Sequence, residues 1–269
     1  MSRDAGSWAG TRLGERRVSY DERDAILYAL AVGAPADDLS LVFEERLRVL
    51  PTFALTLAQW APDALGSRGA FDTGTAVHGS QRLEVRAPLP RAGELDLVAR
   101  VGNVWDKGSA AIFEVEVESE QFLATWSIFA PGCGGFGGER GPARPEPAPA
   151  PAVEPERLAV PTASTQAALY RLLGDRHHMH VDPEAARAAG QPRPFLHGLC
   201  SLAAVTLGVA RTVGAHPADL RELEARFAAP VFPGDVLDVT HEAAPGGGRA
   251  FTATVGDRQV LTGGRVVFG

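Results

Sequence analysis

The chain has 269 residues, 45% of them hydrophobic, and a formal net charge of −7 at pH 7. This length and hydrophobic content can supply one large or two medium-sized cores, and the negative charge argues against a general nucleic-acid-binding protein. The two cysteines are too few for a disulfide framework and are typical of a reducing compartment.

The first half of the chain predicts helix followed by strand. Residues 1–19 are polar and lack the apolar core of a signal peptide, so we expect a loose lead-in. A helix is predicted from Tyr20 to Gly33, because acids occupy its first turn and apolar residues recur at helical spacing. Residues 39–50 are strand-like at their start, and a second apolar run follows Pro51. Residues 77–86 and 95–130 predict strands, since Val, Ile, Phe and Trp partly alternate with polar residues.

A proline-rich linker separates two predicted domains. Residues 141–155 contain six prolines in fifteen positions, which excludes a helix or a central strand. We therefore assign an N-terminal domain to residues 1–140, a linker to 141–158 and a C-terminal domain to 159–269. In the second domain, residues 198–213 predict a helix that is apolar on nearly every face and hence buried all round. Strands are expected again over residues 220–268, as in the first half.

The two halves also resemble each other in sequence. Four short matches recur in the same order at a nearly constant separation of about 140 residues, which indicates a tandem duplication. They relate Leu27-Tyr28 to Leu169-Tyr170, Pro51 to Pro194, Leu83-Glu84 to Leu223-Glu224, and Leu95-Asp96 to Leu237-Asp238. Each half thus offers one apolar helix and several antiparallel strands, and a helix buried on all sides needs a sheet curled around it. The predicted fold is an α+β double hot-dog, with an irregular central helix in the first half because Pro62 interrupts its apolar run.

Side chains that can carry protons are concentrated in one segment of the second half. Within eight residues it holds Asp175, His177, His178, His180 and Asp182. A proline-bounded loop then leads to Gly198, where the buried helix is predicted to begin. The free N–H groups and the positive dipole end of a helix N-terminus favour an oxyanion. A carboxylate and an imidazole beside such a site predict acid–base chemistry on a carbonyl compound.

Longer motifs resemble a known family. They are Tyr170-Arg-Leu-Leu-Gly-Asp175, His180-Val-Asp182-Pro183, Arg193-Pro-Phe-Leu-His-Gly-Leu-Cys200, Arg226-Phe227-Ala-Ala-Pro-Val-Phe-Pro-Gly234, Val77-His78-Gly79 and Asp106-Lys107-Gly108. Together they resemble the hydratase-2 group of the MaoC-like dehydratases over about residues 20–268. The resemblance implies a double hot-dog homodimer that hydrates trans-2-enoyl-CoA to (3R)-3-hydroxyacyl-CoA, with an acyl-CoA substrate and neither a cofactor nor a metal.

The resemblance also implies roles for individual residues. Asp175 and His180 would form the catalytic dyad, and the Gly198 N–H would polarise the thioester carbonyl. The residues expected to hold the acyl-CoA are His78, Gly79, Lys107, His177 and Phe227. Because the stretch APADDLSLVFE, which directly follows the matching LYALAVG segment of the first half, has no histidine, the reacting groups are assigned to the second half. The first half would then accommodate the acyl chain.

Two histidines depart from the family pattern. His177 stands where the family has asparagine, and His178 where it has proline. Either His177 tunes the dyad and makes the rate more sensitive between about pH 5.5 and 7.5, or it turns to solvent as an ordinary loop residue.

Other interpretations of these motifs have weaker support in the sequence. Zinc binding by His177, His178 and His180 is disfavoured, because neighbouring histidines rarely converge on one ion and no cysteine cluster accompanies them. The Gly132–Gly137 segment matches a dinucleotide-binding pattern, but a proline-rich linker follows it instead of a helix. Lys107 is either a turn residue or a point charge for a CoA phosphate.

Three rival functions stay open: a hot-dog thioesterase, an acyl-carrier-protein dehydratase and a non-catalytic acyl-CoA-binding protein. No apolar run approaches the length of a membrane span, so we predict a cytoplasmic protein without membrane or nucleic-acid partners.

Overall fold

The computed structural model describes residues 4–143 and 154–269, and its strands form one antiparallel sheet. The strands of these two ranges are β1 (Arg12–Tyr20), β2 (Val77–Val85), β3 (Gly93–Asp106), β4 (Ala110–Glu118), β5 (Phe122–Pro131), β6 (Glu156–Pro161), β7 (Leu220–Phe227), β8 (Val236–Ala243), β9 (Arg249–Val255) and β10 (Arg258–Phe268). They are ordered β1-β3-β4-β5-β2-β7-β10-β9-β8-β6.

Helices pack against this sheet in both halves. The α-helices of the described ranges are α1 (Glu22–Ala31), α2 (Leu39–Val42), α3 (Phe53–Ala58), α4 (Trp60–Ser67), α5 (Gln166–Tyr170), α6 (Pro183–Ala188) and α7 (Gly198–Thr212). In the first half, α3 contacts β5 while α4 contacts β1 and β4; in the second half, α7 contacts β6, β8 and β10. Within the same ranges, no helix has both the length and the apolar character needed to cross a membrane.

The sheet has the same strand order on either side of its centre. Reading outward from the β2–β7 pair, the first half runs β2-β5-β4-β3-β1 and the second runs β7-β10-β9-β8-β6. Leu83 pairs directly with Leu223, and both side chains are fully buried. These two leucines occupy matching positions of the predicted duplication, so an approximate twofold axis passes between them. This arrangement agrees with a double hot-dog; the superposition of the two halves stays a prediction.

The central helices of the two halves differ as predicted. Helix α7 is continuous over 15 residues, and a Cβ on its Gly208 would come within 2.8 Å of Leu158 and 2.9 Å of Val160 on β6. In the first half the equivalent run is divided into α3 and α4 at Gln59. Pro62 lacks the N–H that would bond to the carbonyl of residue 58, and its ring crowds that carbonyl. The less regular helix predicted for the first half is therefore confirmed.

Three local predictions were wrong. Residues 12–19 are not a loose lead-in, because β1 pairs with β3 and Arg17 donates to Asp96 at 2.7 Å. Residues 39–42 form α2 and not a strand. The predicted linker extends too far, since residues 156–158 already belong to β6 and pair with β8. The proline-rich residues 144–153 lie outside the described residues.

Candidate active site

The acid- and histidine-rich segment is a loop fixed at both ends. Helix α5 and a short turn over Arg171–Leu173 precede it, and α6 follows it. Asp182 caps α6 by accepting a hydrogen bond from the Glu184 N–H at 2.8 Å. This second acid therefore ends the loop as a helix cap, with Pro183 in the first turn where proline is tolerated.

Asp175 and His180 are brought together, and His197 joins them. One side-chain atom from each of these three residues, a carboxylate oxygen or a ring nitrogen, lies within 4.8 Å of the corresponding atoms of the other two. His180 is almost fully buried and donates from Nδ1 to the Phe195 carbonyl at 2.8 Å, which leaves its Nε2 to accept a proton. His197 donates from Nε2 to the main-chain carbonyl of Asp175 at 3.1 Å and stacks on His180 with ring centroids 3.7 Å apart. Among the described residues, this is the one group of three or more His, Cys, Asp or Glu side chains that lie this close together.

The charges of this cluster suit proton transfer. Burial lowers the pKa of His180, and burial together with the neighbouring His180 lowers the pKa of His197 to about 3. Burial alone would raise the pKa of Asp175, but the hydrogen bond and the positive charge of His177 outweigh it and lower that pKa well below its usual range. At neutral pH the site therefore holds an ionised carboxylate beside two neutral imidazoles. The carboxylate and the free nitrogen of His180 can each accept a proton.

His177 contacts the carboxylate directly and is not a free loop residue. Its Nδ1 lies 2.6 Å from Oδ1 of Asp175, and its side chain is 48% exposed. The hydrogen bond to Asp175 raises the pKa of His177 to about 9, with burial opposing. The ring is thus cationic at neutral pH. A pKa of about 9 places the charge change of His177 above the range of pH 5.5 to 7.5 expected from the sequence, and its effect on the rate stays a prediction.

Gly198 lies at the start of α7 beneath an aromatic ring. A Cβ on Gly198 would come within 2.9 Å of Cδ1 of Phe227, so only glycine lets the ring lie this close. Among the described residues, no acceptor is paired with the Gly198 N–H.

His78 lies beside Phe227 with ring centroids 4.7 Å apart, and burial lowers its pKa to about 4. Gly79 follows at a β-bulge of β2, where a Cβ would be 3.3 Å from the Ser127 carbonyl.

Lys107 is two strands removed from His78, because β4 and β5 lie between β3 and β2 in the sheet. It follows the end of β3, and its ammonium donates to the Arg140 carbonyl. The preceding Asp106 accepts N–H groups of Gly135 and Gly137 at 2.9 and 2.8 Å, and these bonds lower its pKa to about 2. The glycine-rich segment therefore wraps a carboxylate of the chain itself, and its N–H groups are not directed at a nucleotide phosphate.

Two residues near the dyad were not singled out from the sequence. His197 directly precedes Gly198 in the matched motif, and that adjacency was the available signal. Asp63 on α4 carries an oxygen 3.9 Å from Nε2 of His177. It comes from the other half of the chain, and no local pattern in the sequence marks it.

Two family models match the chain. The model for the MFE-2 hydratase 2 N-terminal domain matches residues 18–130, and the model for the MaoC like domain matches residues 148–260. Together they cover most of both halves and leave out residues 131–147.

Named relatives match over most of their length. The enoyl-CoA hydratase ChsH3 of Mycobacterium tuberculosis is 37% identical over 246 residues, which cover 86% of each chain. The 3-hydroxyacyl-thioester dehydratase Y of the same organism is 39% identical over 236 residues, covering 81% of this chain and 80% of the relative. The crystal structure of a MaoC-like dehydratase from Phytophthora capsici has a TM-score of 0.85 at 25% identity, covering 98% of this chain and 97% of that one.

Proposed function

The chain belongs to the MaoC-like dehydratases, with a hydratase-2 type of N-terminal domain, and we propose that it reversibly hydrates trans-2-enoyl-CoA to (3R)-3-hydroxyacyl-CoA without a cofactor. The relatives described above carry the names of hydratases and dehydratases, which are hydro-lyases. The matched regions span both halves. The observation that carries the proposal is the ionised Asp175 beside the neutral His180, close to the first turn of α7.

The addition of water begins at the dyad. Asp175 and His180 hold one water molecule between an ionised carboxylate and the free Nε2 of a neutral imidazole. The water loses a proton to the dyad as its oxygen bonds to C3 of the enoyl group, and the proton is returned to C2. A positioned acid–base pair of this kind contributes roughly 10²–10⁴ to the rate.

Charge develops on the thioester oxygen during this addition. As C3–O forms and the C2 carbanion is generated, the thioester carbonyl acquires enolate character. The Gly198 N–H, at the positive end of the α7 dipole, stabilises that oxygen. Such a donor is typically worth about 3–4 kcal/mol in the transition state.

The rest of the substrate would be held by residues of both halves. We assign His78, Gly79 and Phe227 to contacts with the thioester end of the acyl group, because Phe227 lies over Gly198, His78 lies against Phe227 and Gly79 follows His78. Lys107, at a distance from the dyad, would meet a CoA phosphate. The first half would accommodate the acyl chain, and the homodimer and the cytoplasmic location stay predictions.

An assay with crotonyl-CoA and longer enoyl-CoAs tests this proposal. Loss of enoyl absorbance without release of free thiol supports a hydratase. Thiol release would show a thioesterase instead, and turnover confined to acyl-carrier-protein substrates would show the carrier-protein dehydratase. Tight binding of enoyl-CoA with neither reaction would show a non-catalytic acyl-CoA-binding protein.

A further inference from the structure

We propose that His177 is a positioning residue that couples the reacting carboxylate of Asp175 to Asp63 on α4, so that both halves of the chain set its orientation and charge. The inference rests on the proposed role of Asp175 as the base.

The contacts of His177 fix one oxygen of Asp175. Oδ1 accepts both the main-chain N–H of His177 at 3.1 Å and the ring Nδ1–H at 2.6 Å. With Oδ1 engaged twice, the second carboxylate oxygen is the one left to bind water. An asparagine side chain could supply one such donor, but it carries no charge and has no second ring nitrogen.

The second ring nitrogen of His177, Nε2, faces the first half of the chain. Nε2 of His177 lies 3.9 Å from Oδ1 of Asp63, and both side chains are about half exposed, at 48% and 49%. Helix α4, which carries Asp63, packs against β1 and β4 of the first half. At 3.9 Å the contact with Asp63 is an ion pair and not a hydrogen bond, so a cationic imidazole attracts two carboxylates that belong to different halves.

The charges around this bridge are few and can be named. His177 faces Asp175 in its own loop and Asp63 on α4. Asp63 in turn faces Arg16 on β1, whose guanidinium lies 4.7 Å from the centre of the Trp60 ring. Asp63 also acts on Asp175 directly, and the remaining ionisable side chains that interact with Asp175 are those of His78, Tyr170, His180 and His197.

The charge of His177, and with it the attraction to both carboxylates, depends on pH. With a pKa of about 9, His177 is charged at neutral pH and loses its charge as the pH rises through that value. Loss of the positive charge removes an attraction that stabilises the ionised Asp175, and the carboxylate becomes a stronger base. The hydration rate of the unmodified protein is therefore expected to rise between pH 8 and 10, provided that its fold persists.

Kinetics of three variants test the positioning role. His177→Leu removes both the donor and the charge and is expected to lower kcat about tenfold or more with little change in KM. His177→Asn restores a donor and is expected to keep kcat within about threefold of the parent, while the rise in rate near pH 9 disappears. The matched control is His178→Asn in the same loop, whose pH–rate profile should overlay that of the parent. Parent-like kcat in His177→Leu, or a persistent rise in His177→Asn, would overturn the proposal.

A titration that needs no turnover tests the coupling to Asp63. The ring resonances of isotope-labelled histidine are followed by NMR between pH 5 and 10.5 in the parent, in Asp63→Asn and in the control Glu120→Gln. His177 is expected to titrate near pH 9 in the parent and in the control, and at a lower pH in Asp63→Asn. An unchanged midpoint in Asp63→Asn would refute the coupling. Because the titration is independent of catalysis, an inactive protein that shows the shift would contradict the proposed function and leave the coupling supported.

Discussion

Replacing Asp175 with asparagine removes the proposed base and leaves its shape almost unchanged. The asparagine oxygen can still accept the two hydrogen bonds that His177 donates at 3.1 and 2.6 Å. Only the second oxygen, the one available to water, becomes an amide group that cannot take a proton. We expect kcat to fall by a factor of roughly 10²–10⁴, or about 3–5 kcal/mol of transition-state stabilisation.

The cost to folding should be much smaller than the cost to catalysis. The lost attraction acts on a His177 side chain that is 48% exposed, so solvent screens it, and the neutral hydrogen bond remains. We expect the free energy of unfolding to fall by about 1–2 kcal/mol at most.

The assay pairs steady-state hydration of crotonyl-CoA with denaturant unfolding of the same preparation. His178→Asn, in the same loop, is the control for nonspecific damage. Near-normal turnover by a folded Asp175→Asn variant would remove Asp175 from the mechanism. A fall in kcat that merely tracks a large loss of stability would leave the residue with a structural role only.

Four further outcomes are expected. Gly198→Ala should lower kcat more than tenfold, because its Cβ would stand 2.9 Å from Phe227 and displace either the ring or the first turn of α7; wild-type kcat would exclude the oxyanion role. In a pH–rate profile, kcat/KM should fall on the acid side as His180 gains a proton, with a midpoint below the ordinary histidine value of about 6.5, because burial lowers its pKa. Lys107→Ala should raise KM for an enoyl-CoA and leave KM for the matching enoyl-pantetheine unchanged; equal effects on both esters would return Lys107 to a turn role. Residues 20–140 and 159–269 should superpose as two hot-dogs when their backbones are compared, and a different strand connectivity would contradict the duplication.

Much of the fold could be predicted because burial imposes a pattern on the sequence. The run from Gly198 is apolar on every face, and it is a continuous helix with a buried interior. The strands of residues 95–130 alternate because one face of the sheet is buried and the other is solvated. Leu83 and Leu223, which match in the predicted duplication, pair with each other where the two halves join.

The wrong predictions fall on segments whose local sequence does not indicate the structure that they adopt. Strand β1 is an edge strand of charged residues, and its pairing with β3, including Arg17 with Asp96, is not encoded by any local apolar pattern. The four residues of α2 are strand-like in composition but follow Asp38 into a single turn of helix. Asp63 could not have been found at all, because its approach to His177 depends on how α4 packs over a loop more than a hundred residues away.

Some details of the candidate site also required the structure. The sequence named Asp175, His180 and Gly198 through a motif, but not the hydrogen bonds that fix the state of each ring. The Phe195 carbonyl fixes the proton of His180 on Nδ1, and the stacking of His197 on His180 follows from the turn into α7. Contacts of this kind join residues 15 or more positions apart, beyond the reach of any periodic pattern.

The stereochemistry of the hydration product tests the central claim most directly. A trans-2-enoyl-CoA is incubated with the protein, and the product is offered separately to a (3R)-specific and a (3S)-specific 3-hydroxyacyl-CoA dehydrogenase. The account predicts NADH formation only with the (3R)-specific enzyme, and its loss when Asp175→Asn replaces the parent protein. A (3S) product, or an equal yield from the Asp175→Asn variant, would contradict it.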